Sequence, residues 1–259
     1  MRRADIHQHL WPDDLISSLA RRTVAPRIRG GMLELVGEPP VPFEAREHDP
    51  AGRTGFDRIL IAPSLPSGFD TDLADDFERG VLALGPPFEL WTSTPERLDV
   101  AVGLCLAGRD LPTAAPVLER LQAAGKPLFV HPGPAAGSPA WFPALTAYVA
   151  EMNAAWHWWA AFGRPAFPAL RVVFAMLAGL APLHAERLAA RGGPVAAVHD
   201  PLTFFDTSSY GPRAIDAMLR VVGVDRLLYG SDVPVVEPVP LGLGEAVEHA
   251  LTVVNPELL

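Results

Sequence analysis

The sequence predicts an α/β fold: a (β/α)8 barrel of the TIM type, with a helix and hairpin segment inserted between strands 1 and 2. Three observations carry that expectation. Eight short β-rich runs recur along the 259 residues. Several are near-continuously apolar, as strands covered on both faces are, and most are followed by a segment of helical period or composition. About 250 residues is also the usual size of such a barrel. An open doubly wound sheet, the competing architecture, would carry a Gly-rich phosphate loop after its first strand, and none stands there.

The runs, in chain order, are ADIHQHL 4–10, DRILIAPS 57–64, FELWTST 88–94, VAVGLCL 100–106, PLFVHPG 127–133, LRVVFAML 170–177, LTFFDTSS 202–209 and RLLYGSD 226–232. Clear helices are expected over 111–124, 141–162, 182–191, 211–221 and 242–254. The third opens on Pro182 and closes on Gly192-Gly193, the usual start and stop chemistry. Between the third and fourth runs, TPERLD leaves room for barely one helical turn, so that unit is expected to be degenerate. Nearly fifty residues separate the first two runs, too many for one crossover helix. Within them, 13–22 reads as a helix, 26–38 as a hairpin around Gly30-Gly31, and the Pro cluster 37–43 as a local loop. The chain is therefore read as a single barrel domain over 1–259, with its insertion at about 11–55.

Composition narrows the function classes. At 49% hydrophobic and 20% charged, the chain is globular. Its longest apolar run, Val172 to Ala181, is too short for a bilayer, and no apolar segment follows the first basic residues, so the cytoplasm is the expected location. A single cysteine, Cys105, excludes an internal disulfide or thiolate metal cluster, so any metal site must use histidine and carboxylate. A formal charge of −9 without a dense basic run gives no attraction to nucleic acid or an anionic membrane. A small molecule is the expected partner.

Side chains alternate along a strand, so Asp5, His7 and His9 share one face of the first run. An isolated His-x-His is more often a polar strand end than a metal site. Here, however, PLFVHPG delivers His131 and LLYGSDVP delivers Asp232 at further strand ends, where a barrel presents its functional side chains. Three imidazoles and a carboxylate form a plausible set for one divalent ion, zinc above all, with a position open to water.

DIHQHLWP, PLFVHPGP, LRVVFAML and FDTSSYGPRAI…DRLLYGSDVP together resemble the amidohydrolase superfamily, in its amidohydrolase-related branch with the aminocarboxymuconate-semialdehyde-decarboxylase-like proteins. The resemblance runs over nearly the whole chain. It implies a distorted barrel, His7, His9, His131 and Asp232 as metal ligands, and Asp232 as a group that exchanges a proton with metal-bound water. Two-metal relatives often bridge their ions with a lysine on strand 4; VAVGLCL has none and Lys126 precedes strand 5, so a single ion is expected.

One departure is important. Strand 6 in such proteins typically ends in a histidine followed by a Gly pair, whereas here Met176 occupies that place, and a thioether accepts no proton at neutral pH. Three readings stay open: His184 or His157 takes over the role, Asp232 is the sole acid-base group, or the barrel binds metal and ligand without turnover. His157 lies beside an apolar helical stripe and reads more naturally as a core-edge residue. For substrate binding, Arg27 and Arg29 on one face of the hairpin are candidates for a carboxylate clamp, with Met176 and Trp11 in the pocket. Trp11, Trp141, Trp156, Trp158 and Trp159 suggest an aromatic wall over strands 1 and 5 suited to a small planar or apolar acid, and Trp158 and Trp159 mark a candidate homodimer face. The leading expectation is a mononuclear metal-dependent hydrolase of a small amide, ester or lactone. Its runner-up is non-oxidative decarboxylation of an unsaturated or aromatic carboxylic acid.

Overall fold

The computed structural model describes residues 2–36, 40–64, 70–135, 137, 139 and 141–259. The first strand, β1 (Ala4–Gln8), is buried along its whole length, polar residues included. Next comes α1 (Asp13–Arg21), with acidic residues in its first turn, where the helix dipole favours them, and with Leu15 and Leu19 on its buried stripe. β2 (Arg27–Arg29) and β3 (Met32–Glu34) form the expected hairpin. Its turn needs the left-handed region at both Gly30 and Gly31, φ 58° and 75°, which glycine enters without steric cost. A third antiparallel strand, β4 (Val41–Pro42), pairs with β3 inside the stretch expected as loop, its proline tolerated on an edge. Gly37, Glu38 and Pro39 of that Pro cluster lie outside the described residues.

Barrel strands then alternate with helices: β5 (Arg58–Ile61), α2 (Thr71–Leu84), β6 (Phe88–Thr92), β7 (Gly103–Ala107), α3 (Ala115–Ala124) and β8 (Leu128–His131). α2 is absent from the helices marked in the sequence. Asp70 caps it by accepting the Leu73 N–H, and Leu73, Phe77 and Val81 supply its buried stripe. Only a three-residue turn, Pro95–Arg97, separates β6 from β7, so that unit is indeed degenerate. The helix expected over 141–162 is divided into α4 (Trp141–Leu145), α5 (Ala147–Trp158) and a wider π turn at Trp159–Gly163, after which α6 (Arg164–Ala166) closes the segment. The last units are β9 (Val172–Phe174), α7 (Ala185–Ala190), β10 (Thr203–Asp206), α8 (Pro212–Val222), β11 (Leu227–Leu228) and α9 (Glu245–His249).

The eight strands β1, β5, β6, β7, β8, β9, β10 and β11 are hydrogen-bonded in that order, every adjacent pair parallel. Backbone bonds close the ring: Ile6 N–H donates to Tyr229 O at 2.9 Å, Asp232 N–H to His7 O at 2.9 Å and His9 N–H to Val233 O at 2.7 Å. This closure holds the ends of the first and last strands side by side. Inside the barrel, the Trp91 ring stacks on Phe129, and Trp91 Nε1 donates to Ile6 O. That aromatic floor fills the barrel below the rim and leaves the strands' C-terminal ends as the open face. Among the described residues no helix is long and apolar enough to cross a membrane.

The expected aromatic face of α5 is not exposed as a unit. Trp156 and Trp159 are buried, with Trp159 stacked on Phe167, because the helix turns this side to the barrel. Trp158 is half-buried.

Candidate metal centre

His7 and His9 stand at the end of β1, His131 is the last residue of β8, and Asp232 follows β11. One ring nitrogen from each of the three histidines lies within 4.8 Å of the others, and all three residues are buried. His7 Nε2 and His9 Nε2 are 3.2 Å apart, and Asp232 Oδ1 is 3.7 Å from the first and 3.3 Å from the second. Asp232 reaches this place through a left-handed backbone, φ 63°, a conformation that aspartate tolerates better than most residues. Below the cluster, the His7 ring meets Phe129 edge-on at 4.9 Å.

The outer imidazole nitrogens decide what the inner ones can do. His9 Nδ1 is 2.9 Å from Ala62 O and His131 Nδ1 is 2.8 Å from Pro132 O. A carbonyl only accepts, so both Nδ1 atoms carry the proton. His7 Nδ1 lies 2.7 Å from Asp206 Oδ2 and donates likewise to the carboxylate. Neutral rings of that tautomer turn three Nε2 lone pairs toward one another and toward a carboxylate oxygen. A cation resolves that crowding of acceptors. Two nitrogens bound tetrahedrally to zinc, each at about 2.1 Å, are about 3.4 Å apart, close to the spacing of His7 and His9. The donor set therefore fits one divalent ion.

The electrostatics agree. Burial opposes charge on His7, but Asp206, Asp232 and Asp5 outweigh it and raise its pKa. Burial, with His7 and His9 adding to it, pushes His131 well below the usual histidine value. Burial also works against an ionised Asp232, yet His9, His7 and the Ser209 hydroxyl together hold its carboxyl below the ordinary carboxylate range. His131 is thus kept as a neutral imidazole and Asp232 as a carboxylate, the forms in which each can ligate a metal ion.

Two further carboxylates brace the cluster: Asp206, not marked in the sequence, and Asp5, placed there on the histidine face without a role. Asp206 Oδ2 orients His7, while its Oδ1 accepts the Ser208 N–H at 2.6 Å. Ser208 Oγ in turn accepts the Met176 N–H at 3.1 Å. Asp5, fully buried, accepts from His7 N–H and Ser231 N–H through Oδ1 and from Gln8 Nε2 through Oδ2. Burial raises the Asp5 pKa, although those hydrogen bonds oppose the rise. Asp206 closes an apolar strand at its C-terminal end, the same signal that marked His131.

The other expected site residues lie differently. Trp11 lines a cavity at the side of His9, a space of about 210 Å³ whose lining also includes Phe43, Glu44, Glu47, His48, Ser64 and Pro234. Its ring stacks on Phe43 and on His48, and its Nε1 donates to Ser64 Oγ at 2.9 Å. Arg27 and Arg29 do not line this cavity; Leu33, Pro42 and Phe43 are what the hairpin segment presents to it. Arg27 is instead tied across the hairpin to Glu34, Nε to Oε2 at 2.7 Å, because the two are register partners. Met176 is buried and begins a left-handed turn in which Met176, Leu177, Ala178, Gly179 and Leu180 all have φ between 49° and 62°. His157 and His184 line a separate cavity, together with Asn153, Arg187, Leu188 and Arg191. Of the aromatic wall, Trp11 shares a cavity with His9, whereas Trp141 is 61% exposed.

No protein-family model and no curated protein matches the chain. Solved structures do. IDCase of Metarhizium anisopliae in its apo form superposes with a TM-score of 0.69 at 17% identity, over 98% of this chain and 95% of that one. 5-Carboxyvanillate decarboxylase of Sphingomonas paucimobilis gives 0.67 at 17% identity, over 99% and 98%. A dihydroxybenzoic acid decarboxylase of a Polaromonas species, solved with manganese and the inhibitor 2-nitroresorcinol, gives 0.64 at 14% identity, over 98% and 95%. The chain thus carries, over nearly its full length, the barrel fold of these decarboxylases.

Proposed function

We propose that this chain is a metal-dependent enzyme of the amidohydrolase superfamily that removes carbon dioxide from a small aromatic or unsaturated carboxylic acid. The observation that carries the reading is that one ring nitrogen each of His7, His9 and His131 lies within 4.8 Å of the others, with every Nδ1 already committed and Asp232 Oδ1 3.3 Å from His9 Nε2. His7, His9, His131 and Asp232 would hold one divalent ion, which when bound supplies Lewis-acid polarisation of a substrate oxygen. Zinc suits the histidine-rich set, and the manganese found in similar structures makes that ion the competitor to test.

Decarboxylation breaks a carbon–carboxylate bond and makes a carbon–hydrogen bond at the same carbon, so a proton must be delivered there. We assign that delivery to Asp232. One of its oxygens belongs to the donor set and the other accepts from Ser209 Oγ. Held ionised, it takes a proton from an O–H of substrate or water and returns it to carbon. Trp11, Phe43 and His48 offer ring faces to a planar acid at the side of His9. Hydrolysis of an amide, ester or lactone, the leading expectation from sequence, takes second place because most of the similar structures, 5-carboxyvanillate decarboxylase and dihydroxybenzoic acid decarboxylase among them, are named as decarboxylases. Zinc- and manganese-loaded protein incubated with hydroxylated and methoxylated benzoic acids should release CO₂, and the His7→Ala/His9→Ala variant should not. Ester or lactone turnover without CO₂ from any acid would reverse the order of the two readings.

A further inference from the structure

The cavity that receives His157 and His184 has a character opposite to that of the whole chain. It measures about 310 Å³, at the lower end of ligand-site volumes, and lies between α5 and the α7 segment. None of its described lining residues is acidic, although the chain's formal charge is −9. Several arginines elsewhere have carboxylate partners, as in Arg22 with Asp70, Arg58 with Glu89 and Arg164 with Asp200. Among the described residues the Arg187 and Arg191 guanidiniums have neither an ion pair nor a hydrogen bond, and both residues are exposed.

A helix C-terminus draws basic side chains through its dipole, which explains one arginine near the end of α7. It does not explain two, four residues apart on one face, walling a ligand-sized cavity. Two guanidiniums on one cavity wall attract an oxyanion that can lie between their forks. Asn153 adds an amide at the same wall, and its backbone carbonyl fixes the His157 ring by accepting from Nδ1 at 2.9 Å. None of the four metal-centre donors lines this space.

We propose that this cleft binds a small molecule through a phosphate or carboxylate group, with Arg187 and Arg191 as the anion-holding pair. Isothermal titration of metal-loaded protein with inorganic phosphate, and separately with succinate, tests it at fixed ionic strength. Saturable binding is expected for at least one anion, and the tighter arm identifies the ligand as phosphoryl or carboxylate. That binding should persist in the His7→Ala/His9→Ala variant, which separates the cleft from the metal centre. In Arg187→Gln/Arg191→Gln the Kd should rise on the order of tenfold or more, with an unchanged thermal midpoint in the absence of anion. Arg191→Gln alone should show part of that loss and serves if the double variant does not fold. Absence of saturable binding, an unchanged Kd in the arginine variants, or binding lost only with the metal-site histidines would each overturn the assignment.

Discussion

Two stretches of the same barrel rim are built on different principles. Around β1, β8, β10 and β11, polar side chains converge and each outer hydrogen-bonding atom of the three imidazoles is answered: His7 by Asp206, His9 by Ala62 O, His131 by Pro132 O. After β9, where the sequence resemblance calls for one more histidine, the side chain is a thioether and the backbone is left-handed for five residues. Four of those five are not glycine, and each such residue costs about 1–2 kcal/mol. Packing offsets that cost: Leu177 and Ala178 are fully buried, and the Ala178 N–H returns to Ala175 O at 2.9 Å. One region is specified by hydrogen-bond chemistry and the other by shape, and they meet through the Asp206, Ser208 and Met176 chain. Variants on each side should therefore fail in different ways.

The largest effect is expected at the donors. In His7→Ala/His9→Ala, plasma mass spectrometry of purified protein should show loss of nearly all bound divalent metal, against about one ion per chain in the unmodified protein. Retention of stoichiometric metal would remove the donor assignment. Next comes Asp206→Asn. Its carboxamide oxygen can receive His7 Nδ1–H but brings no charge, and metal affinity measured against a competing chelating dye should fall about 10–100-fold. An unchanged affinity would make Asp206 a purely structural partner. On the β9 side, Gly179→Ala should leave metal affinity nearly intact yet destabilise the fold. Its Cβ would lie 2.5 Å from Val149 O on a residue with φ 57°. The expected loss is about 3 kcal/mol in denaturant unfolding.

How much of this was legible follows from the same contrast. The strands were readable because several are near-continuously apolar runs and most are followed by a helical segment, and His7, His9, His131 and Asp232 stood out because they are polar groups at or near strand ends. Asp206 obeys the same rule in LTFFD and could have been marked by it. The left-handed turn could not: Leu177, Ala178 and Leu180 disfavour that backbone, so no local preference announces it, and tertiary packing overrules them. β4 was hidden for the opposite reason, since two residues beside a Pro cluster carry no period at all. Arg27 and Arg29 looked available only because a sequence does not display the cross-strand register that gives Arg27 to Glu34.

A smaller effect concerns pH at the cavity wall. His48 accepts the Trp11 N–H on Nδ1 and is held neutral, its pKa lowered to about 4 by burial, with Arg53 and His9 adding to the shift. In the unfolded chain its pKa returns to about 6.5, so the unfolded state binds more protons between the two values. The stability contributed by neutral His48 is thus complete above about pH 6.5 and is lost as pH falls toward 4. The urea midpoint of His48→Gln, which stays neutral, should fall less over that window than that of the unmodified protein. Parallel declines would show that His48 does not contribute to the pH dependence.

The smallest effect is the sharpest test of the strained turn. Ala178 has φ 54°, and glycine at that position removes the clash between Cβ and the following carbonyl without touching Met176, Ser208 or Asp206. Ala178→Gly also gives up a fully buried methyl group and adds freedom to the unfolded chain. The terms nearly cancel, so a gain of only about 0.5 kcal/mol is expected in denaturant unfolding, with metal affinity unchanged. A loss above about 1 kcal/mol would mean that the methyl group's packing, not backbone geometry, dominates this position. A change in metal affinity would mean that the turn is not merely a shape but tunes His7 through Ser208 and Asp206, and the two halves of the rim would have to be treated as one device.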